Sequence, residues 1–405
     1  MSLLRLESSP KTNSRWALSQ LGFRPFFLLA SLFALFGMMV WMALYLWAWQ
    51  GLPGRYPPMS WHAHEMIFGY TVAVVAGFLL TAVRNWTGVQ TLHGWPLLLL
   101  ASLWLIARLL PFTTLPFALL ALIDLSFMLL LLLSVVWPII QVRQWTQIGI
   151  ISKLALLCLA NTVFYLGLLG IWPLGLSLGI YAGFYLIIAL ILTIGRRIIP
   201  FFIERGIGVP FQARNHVWVD HGSLVLLLLF LLAELFFIAT RHPSALWLVT
   251  VLAALQVLLH SWRLWAWYHP AIWKKPLLWV LYVAYTWLVL GFLLKALTPF
   301  LGLSPWLALH AFAYGGMGMI TAGMMARVSL GHTGRNVFAP PILLTPMFLL
   351  LLLGAVIRVL VDALFPASHW TWVMLSQLLW IAAFILFVAI YLPMLSQARI
   401  DGQYG

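Results

Sequence analysis

The chain is a succession of apolar runs, each about long enough to cross a bilayer and each closed by a short polar or proline-containing turn. The runs fall at about 23–49, 61–83, 95–112, 115–140, 151–170, 174–195, 217–239, 244–262, 276–297, 305–328, 339–364 and 370–394. A helix rising 1.5 Å per residue needs roughly 20 residues to span the hydrocarbon core. The sequence therefore predicts an all-α polytopic membrane protein of about twelve transmembrane helices. Pro53, Pro57, Pro58, Pro173, Pro243, Pro305 and Pro366 punctuate the turns. Composition agrees, because only 7% of the 405 residues are charged where a soluble domain carries roughly 25%.

Charge placement gives the orientation. Arg55, Arg108, Arg241, Lys295 and Arg358 fall on one side of the alternating spans, and the remaining 17 of 22 Lys and Arg on the other. The positive-inside rule then predicts N-in and C-in. A cytoplasmic tail is expected over 1–20, a single twelve-helix domain over 21–396 and a cytoplasmic tail over 397–405. The first run is too long for a signal-peptide core and no cleavage pattern follows it, so it reads as a retained span. The net charge of +14 is scattered between apolar runs, which argues for topology and against nucleic acid. The one cysteine, Cys158, excludes an intrachain disulfide, a thiolate metal cluster and haem attachment through C-x-x-C-H.

Against this background "WHAHEMIFGY", residues 61–70, places His62, His64 and Glu65 at the start of the second run. Ionisable groups in a membrane are costly and point to function. The second run reads "HEMIFGYTVAVVAG" from His64, and the tenth reads "HAFAYGGMGMITAG" from His310. Both give His, an aromatic four residues later (Phe68, Tyr314), then Gly69 or Gly315, and an Ala-Gly pair ending at Gly77 or Gly323. Two imidazoles and small residues a turn away suit a porphyrin held between two helices. Small residues also let helices pack closely without one. His62 and His64, two apart, lie about 200° apart on a helix. The simplest division gives His64 and His310 to a haem iron. His62 and Glu65 then serve a second metal such as copper, or orient a ligand. Met317 and Met319 are possible thioether ligands.

A second set, His221, His260 and His332, falls toward the cytoplasmic ends and could converge on a metal. Arg84, Arg196, Arg197 and Arg327 close apolar runs, where they snorkel to headgroups or grip haem propionates. Arg358 and Asp362 are spaced to pair on one helix face. Asp124 and Glu234 lack local partners; a neutral state, pairing with Arg108 or Lys295 near the same side, or proton relay would accommodate them.

"GFRPFFLLA", "WHAHEMIFGY", "AGFLLTAVRNWTG", "GRRIIPFF" and "MMARVSLGHTGR" resemble the NnrS family over essentially the whole chain. The resemblance implies a twelve-helix bacterial inner-membrane protein containing haem b and copper and acting in the nitric oxide response. A more distant likeness is to subunit I of haem-copper oxidases and nitric oxide reductases, whose axial histidines lie on the second and tenth helices. The sixth run here has no histidine, so the three-histidine copper site of those enzymes is not visible. The first functional expectation is a haem- and copper-containing protein that binds nitric oxide and reduces or detoxifies it, its electron donor unknown. The second is a non-enzymatic sensor or metal-handling protein. The third is a transporter, which the placement of histidines near helix ends argues against.

Overall fold

The computed structural model describes residues 17–52 and 56–405. Most of the expected 1–20 tail lies outside these residues. The described chain is all helix and connecting loop. Its helices are α1 (Phe23–Leu46), α2 (Pro58–Thr87), α3 (Gly94–Leu109), α4 (Phe117–Gln141), α5 (Ile148–Leu168) and α6 (Gly175–Gly206). Then follow α7 (Val217–Thr240), α8 (Pro243–Trp267), α9 (Pro276–Leu301), α10 (305–332), α11 (Leu344–Leu364) and α12 (His369–Ser396). Proline stands at the first helical position of α2, α8, α9 and α10, where its missing N–H costs nothing.

Eleven of these are long and apolar enough to cross a membrane by length and composition. The exception is α10, whose last segment, "MITAGMMARVSLGH", dilutes its apolar residues with Gly, Thr, Ser, Arg327 and His332. Helix α6 runs well past the expected end at 195, through Pro200 to Gly206. The tail after α12 is docked: Arg24 Nη1 donates to the carbonyls of Leu395 and Gln397 at 2.8 and 2.7 Å, and Tyr404 Oη donates to Gln20 O at 2.7 Å.

Burial separates central from peripheral helices. In α2 and α9, 78% and 72% of the most apolar stretch is enclosed by protein, against 39% in α3, α4, α5, α7 and α8. The glycines explain how close the central helices come. Gly175, Gly179 and Gly183 lie on one face of α6; a Cβ on Gly179 would stand 2.5 Å from Phe164 N on α5, and one on Gly183 2.4 Å from the Phe68 ring on α2. Such small-x3-small spacing lets backbones approach in lipid, where apolar burial between helices gives little drive. Side-chain bonds then fix the centre: Tyr70 on α2 meets Thr321 on α10 at 2.7 Å, Tyr314 Oη donates to Ser376 O on α12 at 2.8 Å, and Trp380 Nε1 donates to Ala34 O on α1 at 3.0 Å.

Three helices change hydrogen-bond register here. Helix α2 is π-helical over Glu65–Thr71, α10 over Ala311–Gly318 and α11 over Ile357–Val361. Such segments are rare and concentrate at functional sites. The first begins directly after His64 and the second directly after His310, so the matched sequence pattern is a matched backbone feature.

Candidate functional site

The three π segments border one cavity of about 330 Å³ between α1, α2, α6, α10, α11 and α12. Its polar lining includes His62, His310, Arg358 and His369; Met66 and Met317 add thioethers, and Trp41, Tyr45, Phe184, Trp306 and Trp380 supply aromatic walls. Met319 is buried elsewhere in the core.

Each imidazole here is held differently. His310 Nδ1 lies 2.8 Å from Trp306 O, to which only an N–H can bond. Its Nε2 therefore carries the lone pair, and Arg358 Nη2 approaches that atom at 3.4 Å. His369 Nδ1 donates to Asp362, 2.9 and 3.0 Å from the two carboxylate oxygens, which leaves its Nε2 as acceptor. Arg358 Nη1 donates to the same carboxylate at 2.9 Å, the expected i,i+4 pair. His62 makes no hydrogen bond among the described residues and lies flat on Trp41, ring centroids 4.2 Å apart and planes 8° from parallel.

His64 is not at this cavity. It is fully buried between α2, α4 and α5, with Nδ1 3.1 Å from Glu65 Oε1 and Nε2 2.9 Å from Asn161 Oδ1. The Asn161 amide is oriented by its Nδ2, which donates to Asp124 Oδ2 at 2.9 Å. Both His64 nitrogens thus face oxygens and neither lone pair is offered to a metal. Arg108 donates to Glu65 Oε2 at 2.8 Å and to Asp124 Oδ1, and Tyr165 Oη donates to Asp124 Oδ2 at 3.0 Å. With both His64 nitrogens donating, two cations face two carboxylates and the buried cluster is neutral, as burial of charge demands.

The expected division of the first motif is therefore reversed. His62 and His310 share the cavity, while His64 and Glu65 belong to the buried cluster. The two histidines do point to different sides of α2, as their spacing of about 200° requires, but each faces the side expected of the other. Glu65 does not share the environment of His62; Met66 does. Nor do the glycines make room for a flat ligand. A Cβ on Gly69 would meet Arg108 Nη1 and Glu65 Oε2, each at 2.9 Å, and one on Gly315 would lie 2.3 Å from the Trp287 ring. Close packing is what they serve.

The second histidine set does not converge. His221 is exposed and bonds Val217 O at 3.0 Å; His260 is buried against Tyr285 Oη at 2.6 Å; His332 packs its ring on Phe23, centroids 5.5 Å apart. Among the described residues no three His, Cys, Asp or Glu side chains are grouped so as to hold a metal ion. The four arginines expected at propionates are also elsewhere. Arg84 lies over the Tyr404 ring and Arg327 over Phe202, Arg196 pairs with Asp220 at 3.3 Å, and Arg197 donates to Gln147 at 3.4 Å. Of the readings open for Asp124 and Glu234, pairing is present: Asp124 bonds Arg108 and Glu234 bonds Lys295.

Sequence reasoning missed the cavity roles of Arg358 and His369. The available signal was the run Arg358, Asp362, His369 across a proline turn, which brings a carboxylate between a guanidinium and an imidazole.

The donor set fits a haem: two imidazoles on facing helices, one with its lone pair fixed by a second hydrogen bond, aromatic walls, and one guanidinium. It fits copper less completely, since any copper ligand set here must recruit thioethers beside the imidazoles. No curated protein matches the chain. The family model described as NnrS protein matches residues 17–399, nearly the whole chain, and the protein belongs to the NnrS family.

Proposed function

We propose that the cavity holds a noncovalent b-type haem between His62 and His310, and that the protein binds nitric oxide there as part of a nitric oxide response. The observation that carries this reading is that these two histidines, on facing helices, line one cavity while His64 does not. Family membership fits a nitric oxide response membrane protein. When bound, the haem supplies an iron with affinity for nitric oxide.

The residues divide the work. His310, braced by Trp306 O, would be the firmly oriented ligand. His62, held only by stacking on Trp41, would be the less firmly braced of the two imidazoles. Arg358, now on Asp362 and near His310 Nε2, would supply a guanidinium for an acidic group of the macrocycle. Copper would draw on His369 Nε2 and on the thioethers of Met66 and Met317, soft donors beside an imidazole. In the bilayer we propose twelve crossings, α10 included, in the bacterial inner membrane with N-in and C-in. That puts the cavity toward the outer side.

Titrating the purified, reduced protein with nitric oxide tests the reading. A shifted Soret band supports it; a protein without haem, or a band indifferent to nitric oxide, defeats it. Single-turnover gas analysis for nitrous oxide separates a reductase from a binder.

A further inference from the structure

At the end of the bundle opposite the cavity, α6, α9 and α10 enclose a small cleft of about 20 Å³ lined by Gly206, Lys275, Leu278, Arg327, Phe338 and neighbouring residues. Arg327 is half-buried, with its guanidinium 3.8 Å from the centre of the Phe202 ring. Among the described residues neither it nor the Lys275 ammonium has a hydrogen-bonding acceptor or ion-pair partner. The carboxylates of this end are engaged: Asp220 by Arg196 and Arg263, Glu204 by the Ala213 amide, Asp401 by Arg399. The cleft therefore has two cations and no counter-charge. Phe338 in its lining is 57% exposed, and so is Phe201 at 52%, whose ring meets the Phe202 ring under Arg327. A cationic notch continuous with an exposed apolar face matches a phosphate head joined to acyl chains better than a free anion.

We propose that this cleft is a binding site for an anionic phospholipid, its phosphate held by Arg327 and Lys275 and its chains lying along Phe338 and Phe201. The stacking on Phe202 fixes the guanidinium plane, so the site selects one headgroup position where loop cations attract lipid diffusely.

Native mass spectrometry of the full chain, exchanged into micelles with phosphatidylglycerol or phosphatidylcholine, tests this. One phosphatidylglycerol should remain bound after collisional removal of the others. Arg327→Gln with Lys275→Gln should weaken retention by roughly thirtyfold, from about fivefold for each cation near the surface. Arg143→Gln with Lys274→Gln, the same charge change on exposed loop cations, should leave it unchanged, and Arg327→Lys should recover it in part. Circular dichroism and thermal unfolding of each variant confirm that the fold persists. Equal loss in both double variants would reduce the effect to diffuse charge and overturn the proposal. So would equal retention of phosphatidylcholine, or complete displacement by inorganic phosphate, which would mark a free-anion site.

Discussion

Replacing His64 by alanine should unfold the protein before it disturbs the cavity. The substitution strips the donors from Glu65 Oε1 and Asn161 Oδ1, at 3.1 and 2.9 Å, and leaves one guanidinium facing two carboxylates with no exposed surface on Asp124. Hydrogen bonds to charged groups contribute about 1.5–3 kcal/mol, and a buried charge left without its partner costs about 3–5 kcal/mol. These describe one loss from two sides, so the expected destabilisation is about 3–5 kcal/mol, a shift of roughly 10² to 10⁴ in the unfolding equilibrium. Adding Glu65→Gln removes the surplus negative charge and should recover about 1–3 kcal/mol of it. Detergent-induced unfolding followed by tryptophan fluorescence reads both effects. A loss below about 1 kcal/mol, or a double variant worse than the sum of its singles, would refute the charge-balanced cluster.

Three further outcomes follow from the same geometry. Lys295→Met should leave Glu234, 1% exposed, without its cation; the same unfolding assay should register about 3–5 kcal/mol, and Glu234→Gln in the same background should restore much of it. Gly315→Ala sets a methyl 2.3 Å from the Trp287 ring, so a loss of about 1–3 kcal/mol is expected, seen as a lower melting temperature. Asp401, on the docked tail outside the spans, has its carboxyl lowered to about 2 by the hydrogen bond from Arg399. A depressed carboxyl contributes stability above its unfolded value near 3.8 and loses it as pH falls toward 2. Amide exchange of residues 399–404 should therefore speed up between those pH values in the wild type and show no such step in Asp401→Asn.

The spans were legible because each is a long apolar run, and the charged pairs because few charges exist in so apolar a chain. The facing of α2 was not. A helix buried on nearly every side has no polar stripe to reveal its orientation, so periodicity separated His62 from His64 without saying which faced α10. The π segments were hidden for a related reason: a shift in backbone hydrogen-bond register leaves no fixed mark in residue type. The glycines of the matched pattern were visible, but Gly69 and Gly315 fit a close-packed helix as readily as a macrocycle, and only the neighbouring Arg108 and Trp287 decide between them. His369 opens α12 and its partner Asp362 lies on α11, so only the turn at Pro366 brings the two together.

In the proposed site His62 and His310, and not His64, hold the cofactor. Optical spectra and iron content of purified His62→Ala, His310→Ala and His64→Ala, each normalised to folded protein, test it most directly. His310→Ala should lose the haem, His62→Ala should retain at most a weakly held haem with an altered Soret band, and the folded fraction of His64→Ala should keep the wild-type spectrum. A wild-type spectrum in His62→Ala together with haem loss in His64→Ala would contradict it.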